Sequence, residues 1–139
     1  MSRIVVTGRI PDAGLEILRT GGEVWSWDED DPIPVDVRDE QLAHADAAVT
    51  LLTDRVDQAF LDAAPGLKVV ANVAVGYNNI DVAACHARGV VVTNTPGVLT
   101  DATADLAMAL TLMVTRRLGE GERLIRSHEP WKWGMFMML

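Results

Sequence analysis

Short apolar runs alternate along this chain with segments in which apolar residues recur at helical spacing. This alternation is typical of repeated strand–helix units that build a parallel sheet. The runs predict five strands, at Arg3–Thr7, Glu23–Trp27, Ala47–Leu52, Lys68–Val73 and Val90–Thr93.

The segments between these runs carry helix start and stop signals. A proline or aspartate precedes each segment, and glycine or proline follows most of them. They predict helices at Asp12–Thr20, Val37–Ala45, Gln58–Ala64 and Val82–Arg88. Because β-α-β crossovers are almost always right-handed, the simplest arrangement is an α/β, flavodoxin-like three-layer sandwich whose five-stranded parallel sheet has the order 2-1-3-4-5.

The pattern changes after residue 99. Thr100 is a candidate N-cap, and Ala102–Arg126 reads as one long helix whose first half is apolar almost all round. The last nine residues, 131–139, are also mostly apolar. Such a surface must be covered by a second domain or a second subunit, although the last residues could instead fold back onto their own core. We expect a homo-oligomer, a dimer, that associates through residues 104–139.

Composition narrows the class of protein. The chain has 139 residues and a formal charge of −8, and its positive residues are scattered, so we expect one core and no nucleic-acid partner. Cys85 is the only cysteine, and no cluster has metal-ligand spacing. Without a signal peptide or a membrane-length apolar segment, the sequence predicts a soluble cytoplasmic protein with no membrane partner. The acidic stretch 28–34 reads as a surface loop.

Three loops follow the third, fourth and fifth predicted strands. The carboxyl ends of parallel strands share one edge, where α/β sheets hold ligands. In the loop after the fourth strand, Gly76 follows Val75 and allows a positive φ, so it could expose backbone N–H groups to a small carboxylate. Leu52 would form an apolar wall, and the Thr103 hydroxyl, one turn into a helix, could meet a phosphate.

Each of these residues also has a plain structural interpretation. Gly76 could serve only a tight turn, with Asn78 and Asn79 capping the next helix. Leu52 could be an ordinary strand-end residue, and Thr103 could bond to its own helix backbone.

The chain lacks recognisable catalytic chemistry. No G-x-G-x-x-G follows a strand, because the Gly119–Gly121 pair lies in a helical pattern with Leu124 where the third glycine would fall. The histidines are interpreted as isolated surface residues, and Cys85 as a small half-buried helix residue until a base is shown beside it. The expectation is therefore no catalytic residue and no metal site in this chain.

Taken together, the three loops carry a resemblance. The segments 51–54 (LLTD), 70–81 (VANVAVGYNNID) and 92–107 (VTNTPGVLTDATADLA) closely resemble the N-terminal part of the D-2-hydroxyacid dehydrogenases, nearest to their glyoxylate/hydroxypyruvate reductase branch. The similarity runs from about residue 3 to the end. In that family such a segment forms the substrate-binding domain and the crossover helix that leads into a Rossmann cofactor domain.

This resemblance implies roles for four residues. Backbone groups of Val75 and Gly76 would hold the carboxylate of a small 2-oxo or 2-hydroxy acid, Leu52 would line the pocket, and Thr103 would touch NAD or NADP near its phosphates. Residues 1–99 would be the substrate-binding domain, and 100–139 the crossover helix and apolar arm. Asn78 stands where many relatives carry aspartate, a departure that we expect to be tolerated.

The resemblance also implies that the chemistry lies elsewhere. The family's substrate-orienting arginine, its proton-donating histidine and the supporting glutamate come from the cofactor domain, beyond residue 139. The chain would then be an N-terminal fragment, inactive alone, of an enzyme that transfers a hydride between NAD(P)H and a small 2-oxo acid.

The alternative is a free-standing flavodoxin-like binding or interaction module without catalysis. A receiver-type regulator is disfavoured because the first strand ends in Thr7-Gly8-Arg9 without an acidic pair. A flavin carrier is disfavoured because the same loop lacks a hydroxyl-rich phosphate cradle.

Overall fold

The computed structural model describes residues 1–136 and shows five strands joined by helices. The strands are β1 (Ser2–Val6), β2 (Gly22–Ser26), β3 (Ala47–Leu51), β4 (Val69–Val73) and β5 (Val91–Thr93). All neighbouring strands are parallel, and their order is β2-β1-β3-β4-β5. The predicted sheet is confirmed.

The helices that connect the strands are α1 (Asp12–Gly21), α2 (Val35–Leu42), α3 (Gln58–Ala63) and α4 (Val82–Ala87). Aspartate caps start two of them, since Asp57 accepts from the N–H groups of Ala59 and Phe60, and Asp81 from that of Ala84. The expected start of α2 after Asp36 is wrong, because the helix begins at Val35. Pro34 precedes it and fixes a backbone φ compatible with entry into a helix.

Apolar side chains pack on both faces of the sheet. On one face Val5, Ala48 and Val70 pack against residues of α2, α3 and α4, including Leu42, Phe60 and Cys85. This cluster is the larger core.

The second face carries a smaller cluster. Ile4, Val6 and Val49 pack there with Leu15 of α1. In β4 and β5 the residues whose register continues this face are more open, and Val73 and Val91 are 44% and 59% exposed. Within the first unit, the α1 side of the sheet is therefore covered at its centre, where Val24 and Ala71 also pack against this cluster, and is open at Val73 and Val91.

The chain divides into two compact units, Met1–Gly97 and the residues from Val98 onward. The second unit contains α5 (Thr100–Thr115) and α6 (Leu118–Arg126). The prediction of one unbroken helix over 102–126 is wrong, because Arg117 adopts a left-handed conformation with φ 53° and ends the first helix. Thr100 is already helical and Leu99 occupies the N-cap position without a side-chain bond, so the predicted Thr100 cap is also wrong.

The helix α5 exposes its apolar residues. None of its side chains is buried, and Leu106, Met108 and Leu110 are each more than half exposed. Within residues 1–136, no helix combines the length and the apolar character that crossing a bilayer would require.

Candidate functional site

The loops after β3, β4 and β5 meet at the carboxyl edge of the sheet. Leu51 and Val73, the last residues of β3 and β4, are register partners, so the loops that follow them start side by side. At this edge Leu52 is 63% exposed and Val75 is 43% exposed, and Gly76 is exposed as well. The structure thus brings these three predicted site residues to one rim of the first unit.

Asn79 fastens the first of these loops to the second. Its side-chain amide donates to the carbonyl of Asp54 at 2.9 Å and lies 3.3 Å from that of Leu51. A backbone bridge between Val56 and Ile80 adds two further bonds, from Val56 N–H to Asn79 O and from Asp81 N–H to Val56 O. Asn79 therefore holds two loops together, and it is not the helix cap considered above.

Asn72 lies beneath the second loop and is 2% exposed. Its Oδ1 accepts from the hydroxyl of Thr50 at 3.1 Å, and its Nδ2 donates to the carbonyl of Gly76 at 3.0 Å and to Asn79 Oδ1 at 3.2 Å. A buried amide normally has partners of this kind, because an unpaired one would be costly. The loop carrying Gly76 is thereby anchored to the interior of the sheet.

The loop after β5 is fastened to the second loop from the other side. Thr95 N–H donates to Ala74 O at 2.9 Å, and Asn94 Nδ2 donates to Val75 O at 2.8 Å. Sequence reasoning did not single out Asn72 or Asn94, and it considered Asn79 only as a helix cap. The available signal was Asn72 itself, a polar residue inside an apolar strand and in register with Thr50.

The backbone amides of this second loop face no protein acceptor. Among the described residues, the N–H groups of Val75, Gly76 and Tyr77 donate no hydrogen bond. Gly76 does not adopt the positive φ that a glycine allows, since only Gly89 and Gly97 have one among the described glycines. A Cβ added at Gly76 would meet nothing within 4 Å, so the space beside its Cα is open.

Thr103 lies in the first turn of α5, in the second unit. Its N–H donates to Leu99 O, but its hydroxyl makes no hydrogen bond with the described residues. Thr111 and Thr115 in the same helix behave differently, because their hydroxyls bond back to the carbonyls of Ala107 and Thr111. The alternative in which Thr103 bonds to its own backbone is therefore not what the structure shows.

A cleft of the first unit lies beside β1 and β3. It measures about 480 Å³ and is lined by Thr7, Arg9, Arg38, Arg55 and the acidic loop. Its arginines are already paired: Arg9 contacts Asp28 and Asp30 at 3.4 and 3.1 Å, Arg38 contacts Asp39 at 2.7 Å, and Arg55 contacts Asp57 at 3.0 Å. Asp54 at its floor accepts from the Thr7 hydroxyl and from Leu51 N–H.

The two histidines of the first unit and Cys85 lie away from the three loops. His86 is on α4 and His44 follows α2, and both are exposed. Cys85 is fully buried, and this burial raises the pKa of its thiol. In residues 1–136 no three His, Cys, Asp or Glu side chains are placed to hold a metal ion.

Comparisons with known proteins agree with this arrangement. The sequence profile of the D-isomer specific 2-hydroxyacid dehydrogenase catalytic domain matches residues 4–128. The glyoxylate reductase of Thermococcus kodakarensis is 48% identical over 130 residues, covering 94% of this chain and 39% of that protein.

Solved structures agree as well. A protein from Thermus thermophilus superposes with a TM-score of 0.90 at 38% identity, covering 99% of this chain and 44% of the other. The NADPH-dependent glyoxylate/hydroxypyruvate reductase of Sinorhizobium meliloti, crystallised with NADP and malonate, gives 0.71 at 35% identity, covering 91% of this chain and 38% of the other.

These relatives are much longer than the present sequence, which spans about two fifths of the length of the curated reductases that it matches. The profile match nevertheless covers most of the chain, and its fold is that of the matched structures. The chain therefore belongs to the D-isomer-specific 2-hydroxyacid dehydrogenase family.

Proposed function

We propose that this chain is the N-terminal, substrate-binding part of an oxidoreductase that reduces a small 2-oxo acid, of the glyoxylate or hydroxypyruvate type, with NADPH or NADH. The observation that carries the proposal is the pair of unbonded amides at Val75 and Gly76, which lies in an exposed loop at the carboxyl edge of the sheet. The reductases that match this sequence support the substrate class.

The amides would bind the substrate carboxylate. Backbone N–H groups are suited to an anion because they donate without carrying a charge that must be desolvated. A carboxylate held there takes the 2-oxo group with it, so the chain's role is to fix the position of the reacting carbon. The exposed Leu52 side chain would cover the apolar side of the substrate and exclude water.

The cofactor would meet this chain mainly at Thr103. A helix of 16 residues presents unpaired N–H groups in its first turn, and the unbonded Thr103 hydroxyl adds one further donor there. These groups fit a dinucleotide phosphate. When bound, the nicotinamide supplies the hydride; which of the two dinucleotides binds depends on residues that this chain does not contain.

In this proposal residues 1–99 form the substrate-binding domain, and residues 100–139 form the connection to a Rossmann domain. The arginine, histidine and glutamate of the family chemistry would come from that domain. The chain spans only about two fifths of the length of the relatives that it matches, and this supports the assignment of the catalytic residues to another domain.

The first experiment tests the chain as it stands. Purified chain mixed with glyoxylate and NADPH should give no loss of absorbance at 340 nm above the buffer rate, because the loops contain no histidine or cysteine and the Asp54 carboxylate is already bonded to Thr7 and Leu51. Sustained turnover would contradict the assignment of catalysis to another domain.

The second experiment sequences the gene past codon 139. We expect the reading frame to continue, to contain a glycine fingerprint and to encode a complete enzyme. In that enzyme Gly76→Val should raise KM for glyoxylate about tenfold or more, while KM for NADPH stays near the wild-type value. Asn78→Ala, in the same exposed loop, is the matched control. A stop codon at this position would instead favour the free-standing binding module.

A further inference from the structure

The three peptide units around Val75 and Gly76 are fastened by their carbonyl groups alone. Three successive carbonyls accept hydrogen bonds: Ala74 O from Thr95 N–H at 2.9 Å, Val75 O from Asn94 Nδ2 at 2.8 Å, and Gly76 O from Asn72 Nδ2 at 3.0 Å. The N–H groups of the same three peptide units, on Val75, Gly76 and Tyr77, donate no bond within the described residues. These three peptide units are thus held from one side only.

Because the carbonyls are held, peptide geometry determines which way the N–H groups point. A peptide unit is planar, and in the trans form its C=O and N–H point opposite ways. No described peptide bond is cis. The hydrogen bond that Asn94 donates to Val75 O therefore turns the N–H of Gly76 away from Asn94.

We propose that Asn94 is a positioning residue for the carboxylate site: its side-chain amide fixes the peptide plane between Val75 and Gly76 and so aims the Gly76 N–H at the substrate. This inference rests on the proposed function, because it concerns the same amides. It adds a residue that need not touch the substrate.

Two features make Asn94 the residue to test rather than Asn72. Asn72 is buried and bonded to Thr50 and Asn79, so its loss would disturb the whole edge of the sheet. Asn94 lies in a loop, and its one side-chain bond is to Val75 O. Its replacement should leave the sheet intact while freeing a single peptide unit to rotate.

Free rotation of that unit weakens binding without removing any group that binds. The Gly76 N–H is still present in a variant, but the ligand must then restrict the peptide itself, at a cost comparable to that of an ordinary hydrogen bond. The loss of one such bond corresponds to roughly five- to tenfold weaker binding.

The experiment is an NMR titration of the 139-residue chain with oxamate, an unreactive analogue of a 2-oxo acid. In the wild type we expect the amide signals of Val75, Gly76 and Tyr77 to shift together as oxamate is added. Asn94→Ala should bind about five- to tenfold more weakly, and without oxamate its Gly76 amide signal should already differ from the wild-type position. Asn78→Ala, another loop asparagine, should bind like the wild type.

A second variant covers the case in which Asn94→Ala does not fold. Asn94→Asp keeps the size of the side chain but has no N–H donor, so it should show the same weakening. Signals from β1 and β3 that match the wild type would show that the sheet is intact in either variant.

The outcomes separate the two claims. If Asn94→Ala and Asn94→Asp both bind oxamate as tightly as the wild type does, the role of Asn94 is overturned and the carboxylate site stays in place. No shift at residues 75–77 in the wild type, up to high millimolar oxamate, would overturn the carboxylate site and the role of Asn94 with it.

Discussion

At the scale of single residues, three asparagines organise the candidate site. Asn72, Asn79 and Asn94 bond to loop carbonyls or to one another and leave loop amides unbonded. The sequence predicted that Val75 and Gly76 lie in a loop at the edge of the sheet, but it did not predict these hydrogen bonds. An asparagine near a strand end is typical of a turn, and the sequence does not show its hydrogen-bond partners. Gly76 does not adopt the positive φ that a glycine allows, and the carbonyls on both sides of it are bonded to asparagine side chains.

The thiol of Cys85 should be inert in the folded protein. Its side chain is fully buried, and burial raises the pKa of the thiol, so very little thiolate exists at neutral pH. We expect Ellman's reagent to leave Cys85 unmodified in native buffer and to modify it completely in urea. Rapid labelling of the native chain would contradict the placement of α4 against the sheet.

Asp46 should make the stability of the first unit depend on pH in the acid range. A hydrogen bond from Lys68 at 2.6 Å, then one from Arg3 N–H at 2.9 Å, lower the pKa of Asp46. Because the folded-state pKa is lower than the unfolded one, the stabilisation is complete above about pH 4 and disappears as the pH falls through the folded value.

The matched variant is Asp46→Asn. In urea denaturation it should be less stable than the wild type at pH 7, and the difference should shrink as the pH is lowered below about 4. A difference that stays constant down to pH 3 would show that the charge of Asp46 is not what stabilises the strand ends.

At the scale of elements, the sequence predicted nearly everything in the first unit. Apolar runs located all five strands to within two residues, and right-handed crossovers determined their order. The failure was in the second unit, where Arg116 and Arg117 are ordinary helix formers and gave no sign of a break. The left-handed Arg117 is followed by Gly119 and Gly121, which weaken the helix locally. The sequence analysis treated these two glycines only as an incomplete G-x-G-x-x-G pattern.

Close contact between β1 and β2 predicts that Gly22 cannot be enlarged. A Cβ at Gly22 would lie 2.3 Å from the backbone oxygen of Ser2, its register partner. Gly22→Ala should therefore reduce the free energy of unfolding by about 1–3 kcal/mol in chemical denaturation. The neighbour Gly21 is the control, since a Cβ there meets nothing within 4 Å, and Gly21→Ala should leave stability unchanged or slightly raised.

At the scale of the whole molecule, exposed apolar surface predicts self-association. Leu106 and Leu110, one helical turn apart on α5, are 59% and 52% exposed. We expect light scattering to show an average mass that rises above the monomer value with concentration. The double variant Leu106→Glu, Leu110→Glu should shift this rise to higher concentration.

A control distinguishes association through α5 from nonspecific association of exposed apolar side chains. Ile17 on α1 is 71% exposed, so Ile17→Glu removes a similar apolar side chain from the first unit and should not change association. A wild-type chain that remains monomeric at high concentration would contradict the predicted oligomer contact.

The uneven covering of the sheet has a consequence for synthesis in the cell. The first unit can complete its larger core as soon as α4 and β5 have left the ribosome, but Val73 and Val91 then still face solvent on the α1 side. Until another apolar surface covers them, this nascent domain should attract chaperones and hydrophobic dyes. Its maturation would then be limited by the arrival of that cover rather than by the folding of its own strands.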